Sequence, residues 1–189
     1  MLPNTISYES HVAPYKENFK LSTISLEQIT QIKDFVSIAL ETKKKEQPHI
    51  VGSLKEEKRW YTGFAGEVAL ENFLGIKFTD FSVGNSENYN IPDMVKAGYN
   101  VGVKTVEYGK FPLIFKKSYK PEVIILKKNL SEFFICGLAT LDVLDEMQSD
   151  SLIISPYLKA RGTKTGFFGF QYLQQFSNLK EFEALMVKN

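Results

Sequence analysis

Cysteine and histidine are scarce in this chain. Its 189 residues include one cysteine, Cys136, and two histidines, His11 and His49. A lone thiol closes no internal disulfide, and a zinc site of the usual kind needs several Cys or His ligands. The scarcity fits a reduced, intracellular compartment. Long apolar runs are also missing. No stretch is apolar for long enough to span a bilayer, and "MLPNTISYES" lacks the basic flank and apolar run of a secretory signal. No membrane partner is expected. Charge of one sign is not in excess either: the net charge is +1, so only local clustering can supply an electrostatic footprint. A phosphate loop, a nucleophile elbow and a dinucleotide fingerprint are all absent, which leaves a small-molecule enzyme without a supporting motif.

What is present is an ordinary globular composition, 43% hydrophobic and 24% charged, in a length suited to one domain. Residues 1–24 show no clear period and read as an irregular N-terminal arm. Residues 25–189 read as a single domain. Ser25, with Gln28 three residues on, forms a capping-box pattern. Leu26, Ile29, Ile32, Phe35, Val36, Ala39 and Leu40 then recur at helical spacing, so a helix is expected to end before Pro48. This helix either packs on a sheet or offers an interface for a homodimer. A second helix is expected over "LKEEKRWYTGFAGEVALENFLG", stopped by Gly75, with Glu67 and Glu71 at the edge of its apolar stripe. Beyond it the period changes. "IKFTDFSV", "IPDMVKA", "YNVGVKTVEY", "PLIFKK", "EVIILKK", "EFFICGLAT" and "SLIIS" read as strands, and "GNSENYN" and "KAGYN" as turns. "LDVLDEMQ" and "LKEFEALM" read as short helices. The order implies an α/β (α+β) domain whose central mixed sheet is flanked by helices.

One stretch carries a chemical signal. In "NIPDMVKAGYNVGVKT", Asp93 follows a proline and Lys104 sits in a valine-rich strand. If the segments around them pair through the turn at Ala97–Asn100, their ends lie side by side. A lysine among valines is costly to bury alone, and Asp93 is a suitable partner, with Glu67 or Glu71 as a second. Two carboxylates and a lysine around a cleft suit phosphoryl chemistry. Mg²⁺ needs only one or two carboxylates when phosphate and water complete its shell, and the Val103 carbonyl adds another oxygen. The ion activates a water, and the lysine neutralises developing charge. For Asp93 the plainer role is a turn acid. For Lys104 it is a solvent-facing edge lysine.

These residues resemble the PD-(D/E)xK nuclease superfamily. The likeness is carried by Pro92–Asp93, by Gly102–Lys104 and by the preceding helix "GFAGEVALENFLG", over roughly residues 60–140. It implies a restriction-endonuclease-like fold and a metal-dependent nuclease or endonuclease. Asp93 would be the main metal ligand, Glu67 an accessory ligand and Lys104 the catalytic lysine, with Mg²⁺ as cofactor and Mn²⁺ as a substitute. One departure stands out: the family's second acid would fall at Gly102. Glu67 is the preferred substitute and Glu71 the reserve, since Glu107 has the wrong strand parity without a bulge. The alternative is a non-catalytic nucleic-acid-binding or assembly protein that keeps the fold.

Basic clusters supply the second clue. Lys110, Lys116, Lys117, Lys120, Lys127 and Lys128 face a single acid, Glu122, in sequence. From Ser151 to Leu179 there is no acid, while Lys159, Arg161 and Lys164 are present. Lys116, Lys117, Lys159, Arg161 and Lys164 are therefore expected to contact a nucleic-acid backbone, DNA first and RNA left open, in the cytoplasm or at the nucleoid. Phe167, Phe168 and Phe170 either stack on bases or fill a core strand, the core being favoured for at least two of them.

Overall fold

The structure, a computed structural model, describes residues 6–46, 54–82 and 91–188. His49 and the turn expected at "GNSENYN" lie outside these residues. Among the described residues no helix is long and apolar enough to cross a membrane.

A mixed four-stranded sheet organises the chain. Its order is β1 (Lys20–Thr23), β5 (Glu132–Ala139), β4 (Glu122–Lys127), β2 (Gly102–Glu107). β1 and β4 run antiparallel to β5, whereas β2 runs parallel to β4 and forms an edge of the sheet. Parallel neighbours need a crossover of a dozen or more residues. Here the crossover holds no helix. It contains β3 (Leu113–Phe115), which joins a second sheet with β7 (Lys164–Phe167) and β6 (Gln148–Ser149).

The main sheet separates two cores. β4 is buried on both faces: Val123 and Ile125 point into one core, Ile124 and Leu126 into the other. The first core is filled by α2 (Leu26–Glu46) and α3 (Leu54–Leu74), together with Phe182 of α6 (Leu179–Lys188). The second holds Ile114 and Phe167 from the small sheet, and Leu144 from α4 (Leu141–Glu146). The expected sheet flanked by helices is thus realised with long helices on one face and a small sheet with short helices on the other.

α2 forms as its sequence directs. The Ser25 N–H donates to Gln28 Oε1 at 2.9 Å, and the Gln28 N–H donates to Ser25 Oγ at 3.1 Å, a closed capping box. Its buried stripe, Ile29, Ile32, Phe35, Val36, Ala39 and Leu40, packs into the first core, so packing rather than dimerisation explains that face. α3 stops at Gly75, which adopts φ 71° and donates its N–H to the Glu71 carbonyl.

Several expectations fail for identifiable reasons. Residues 6–24 are no irregular arm: after α1 (Tyr8–His11) they supply β1, whose inward residue is Ser22 while Leu21 is exposed, so its residue types show no apolar alternation. "IPDMVKA" is not a strand. Pro92, Asp93 and Met94 make a turn that leads into a 3-10 turn at Val95–Ala97, closed by Gly98 at φ 87°. β2 therefore has no hairpin partner there and pairs with β4. "IKFTDFSV" is unpaired in its described part, and "SLIIS" begins in a 3-10 turn. Of the three phenylalanines near the end, Phe167 and Phe170 are core. Phe168 is half-buried and packs edge-on against His11.

The approach of α3 to β2 is close. A methyl group at Gly66 would lie 1.8 Å from Thr105 Oγ1 and 2.6 Å from Thr105 Cβ. Only glycine fits without a shift. Gly66→Ala gains helix propensity yet should lower stability by about 1–3 kcal/mol, the usual cost of overpacking. Urea unfolding measures this, and adding Thr105→Ala should restore part of the loss. A Gly66→Ala protein as stable as the parent would contradict the close approach.

Candidate functional site

The site lies where β2 and β4 begin, at the open edge of the main sheet. In a parallel ladder alternate residues turn their backbone groups away from the partner strand. Gly102 donates its N–H to the Pro121 carbonyl on the β4 side. The next N–H, that of Val103, points off the edge and donates to Asp93 Oδ2 at 2.6 Å. Asp93 thus caps the strand edge from its turn, and the Val103 carbonyl shares that outward direction. The expected neighbourhood of Asp93 and β2 is present, but through a turn and a side-chain bond rather than a strand pair.

Gly102 is the pivot. In the parallel register it pairs with Glu122, the first residue of β4. An ideal Cβ on Gly102 would lie 2.9 Å from Lys120 Cε, 3.4 Å from Asp93 Oδ2 and 3.4 Å from Glu122 Cγ. The space of the missing side chain is used by three others. Glu122 is 3% exposed, its Oε2 has no hydrogen-bond partner, and that oxygen lies 3.9 Å from Lys104 Nζ. Burial pushes the Glu122 carboxyl above its ordinary range and the Asp93 charge adds to this, against the pull of Lys104, Lys120 and Lys164. Sequence reasoning did not select Glu122. The available signal was a lone acid among lysines, opening the apolar strand "EVIIL".

Glu67 reaches the same neighbourhood from α3. It keeps partial solvent access, yet its carboxyl is held well above the usual range, first by burial, then by the charges of Asp93, Glu71 and Asp80, with Lys104 offsetting. Asp93 therefore acts electrostatically on both Glu67 and Glu122. Glu71, the reserve candidate, does other work. It is 3% exposed and is no solvated surface acid. Its carboxylate accepts the N–H groups of Phe78 and Thr79 at 2.6 Å each and the Lys77 ammonium at 2.9 Å. Burial raises its pKa, but those donors outweigh it and the carboxyl sits below its ordinary value. Glu107 is held by Lys110 and Lys58 and pulled down to about 2.

The cations divide similarly. Lys104 and Lys164 both lie over the Phe115 ring, with Nζ atoms 5.9 Å and 5.4 Å from its centroid. Burial lowers the pKa of Lys164, and the nearby charges of Lys104, Arg59 and Arg161 lower it further. Lys120 is 8% exposed, donates to the Ile91 carbonyl at 3.4 Å, and is also lowered by burial. Of the five cations expected to contact a nucleic-acid backbone, Lys164 lies near enough to Glu122 for the two charges to act on one another. Lys117, Lys159 and Arg161 are exposed, and Lys116 pairs with Asp150 at 2.6 Å. Arg59 on α3, near Lys164, is a cation the sequence did not single out. Lys55, Lys58, Arg59 and Lys110 line a 440 Å³ groove along the outer end of β2.

Among the described residues there is no group of three or more His, Cys, Asp or Glu side chains that could hold a metal ion. The donor set is narrower: the Asp93 and Glu122 carboxylates, with Glu67 and the Val103 carbonyl at its margin. One or two carboxylates are the usual protein share of a Mg²⁺ shell, and the unpartnered Glu122 oxygen is a free hard donor, so the residues fit such an ion.

No family model matches the chain, and neither curated proteins nor solved structures yield a match.

The crowding of carboxyl groups has a measurable sign. A carboxyl whose folded pKa is raised favours folding below its unfolded pKa, and that benefit is lost as pH rises through the folded pKa. Glu67→Gln should therefore melt about 2–4 °C above the parent near pH 8, equivalent to about 1 kcal/mol. The gap should close in acid, where Glu67 itself is protonated. Melting curves across pH read this directly, and a variant that melts lower at pH 8 refutes the crowding. Glu71→Gln should do the opposite. It keeps one oxygen for the Phe78 and Thr79 N–H groups but removes the charge they share and sets an amide NH2 against the Lys77 ammonium, and should cost about 1–3 kcal/mol. In the parent protein the share from Glu71 is present above its unfolded pKa and is lost as pH falls through its depressed folded value.

Proposed function

We propose that the protein is a Mg²⁺-dependent nuclease that hydrolyses phosphodiester bonds, with DNA as the first substrate and Mn²⁺ as a substitute ion, on a restriction-endonuclease-like plan. The observation that carries this reading is the Glu122 carboxylate. It is buried, has an unpartnered oxygen, and stands across from Gly102 between Asp93 and Lys104. A buried charge without full pairing is costly, and such arrangements concentrate at functional sites.

Asp93 and Glu122 would hold the ion, with Glu67 as the outer carboxylate in place of the principal second acid assigned to it from sequence. The bound ion supplies Lewis acidity toward a phosphate oxygen and eases ionisation of a water. Lys104 binds the scissile phosphate and neutralises charge as it develops there. Lys164, at the same Phe115 ring, would extend that positive face. Lys120 sits deeper, its ammonium on the Ile91 carbonyl, and balances the carboxylates from within. Arg59 and Arg161, whose charges both act on Lys164, would prolong the cationic surface, as a phosphodiester backbone requires.

A non-catalytic binder remains the second reading, favoured by the lack of a three-ligand group among the described residues. Plasmid cleavage in Mg²⁺ or Mn²⁺ separates the two. The nuclease reading expects cutting that falls about 10²–10³-fold in Asp93→Ala, Glu122→Gln and Lys104→Ala, the scale of removing one stabilising group. It also expects Mg²⁺ to raise the melting temperature of the parent but not of Glu122→Gln. Binding without cutting, together with melting indifferent to Mg²⁺, would leave the binder.

A further inference from the structure

A small exposed tip stands beside the site on α5 (Pro156–Arg161). Ile154 is 95% exposed and Tyr157 is 70% exposed, the two least buried large apolar residues of this region. Neither contributes to a core. The Arg161 guanidinium lies over the Tyr157 ring, 5.9 Å from its centroid. α5 ends at Gly162 with φ 65°, and two residues later the chain reaches Lys164, which shares the Phe115 ring with Lys104. The tip is thus tied by a short connection to the cationic wall of the site. Lys159, Arg161 and Lys164 are the only charged residues between Ser151 and Leu179, and Asp150, just before this stretch, is paired with Lys116.

We propose that this tip is a base-contacting element, with Tyr157 stacking on an unpaired or opened base and Ile154 wedging beside it. The proposal rests on the nuclease reading and narrows its substrate class to nucleic acid that contains single-stranded or readily unstacked positions. Exposed apolar side chains gain by leaving water, but the positive rim selects what they meet. An acidic polymer with flat apolar faces satisfies both demands. Aromatic side chains with cationic neighbours are the usual platform for unpaired bases, and apolar wedges enter opened base steps. In a continuous duplex the base faces are occupied by their neighbours, so Tyr157 and Ile154 would find no partner without unstacking. The cations near the tip bind backbone irrespective of strandedness.

Binding in EDTA tests the tip without reference to cleavage. Fluorescence anisotropy would compare labelled single strands, forked duplexes and blunt duplexes of one sequence, with 2-aminopurine as a stacking reporter. The parent should prefer the single strand and the fork. Tyr157→Ala should lose about tenfold on those two and little on blunt duplex, the scale of one lost base stack. Tyr157→Phe should retain binding, and Ile154→Ala should weaken the fork in particular. Tyr157 is exposed, so its variants should fold and melt as the parent does. Equal loss of Tyr157→Ala binding on all ligands, or none on any, overturns the tip's role while leaving the nuclease reading intact. Failure of the parent to bind any nucleic acid overturns both. A parent dimer on size exclusion that Tyr157→Ala dissociates would identify a self-association face instead.

Discussion

The bond from the Val103 N–H to Asp93 fixes the site. β2 is an edge strand, and an edge leaves alternate backbone groups unpaired. Here one of them is taken at 2.6 Å by a carboxylate from the preceding turn. That bond anchors Asp93 beside Gly102 and sets its charge between Glu67 and Glu122, whose carboxyl groups both respond to it. The α3 side is fixed independently. The contact of Gly66 with Thr105 brings the helix backbone against β2, and the next residue is Glu67. Three elements thus meet at one strand end, each held by a contact that allows little displacement.

How much of this could be read in the sequence depended on whether the cause was local. Helices α2 and α3 were legible because apolar spacing, a capping box and a terminal glycine all lie within a turn or two of the residues they govern. The strands β4 and β5 announced themselves as runs of Val, Ile and Phe. Asp93, Lys104 and the helix glutamates were found through the resemblance and through the cost of a lysine among valines. What stayed hidden was non-local. β1 is four residues that become a strand only because β5 offers an edge. The partner of β2 is β4, reached by an unusual crossover through a second sheet. Glu122 acquires its place only from that pairing. Before the register is known, an acid at the start of an apolar strand is just a polar end.

The site carries a cost that the rest of the fold has to offset. Glu122 and Lys120 are both almost fully buried, yet the Glu122 oxygen nearest a lysine is 3.9 Å away and accepts no hydrogen bond. Packing alone would be better served by apolar residues at both positions. Glu71 on α3 offers the contrast. It is equally buried, but two backbone N–H groups and a lysine satisfy it, and its pKa falls rather than rises. A satisfied buried acid is structural, and its removal should weaken the fold. An unsatisfied one is held at the expense of stability.

Gly102 can be understood as a consequence of where that acid is. In a parallel pair, register partners lie one strand spacing apart, about 4.8 Å, and present their side chains on the same face. An acid at position 122 stands at the same height along the sheet and on the same face as position 102, displaced sideways by that spacing. A glutamate is long enough to recover much of the shift. A side chain at 102 would share that space: its Cβ would lie 3.4 Å from Glu122 Cγ and 2.9 Å from Lys120 Cε, the end of a side chain that can move aside. Glycine at 102 and glutamate at 122 are therefore one arrangement, in which the residue without a side chain makes room for the carboxylate that the neighbouring strand provides.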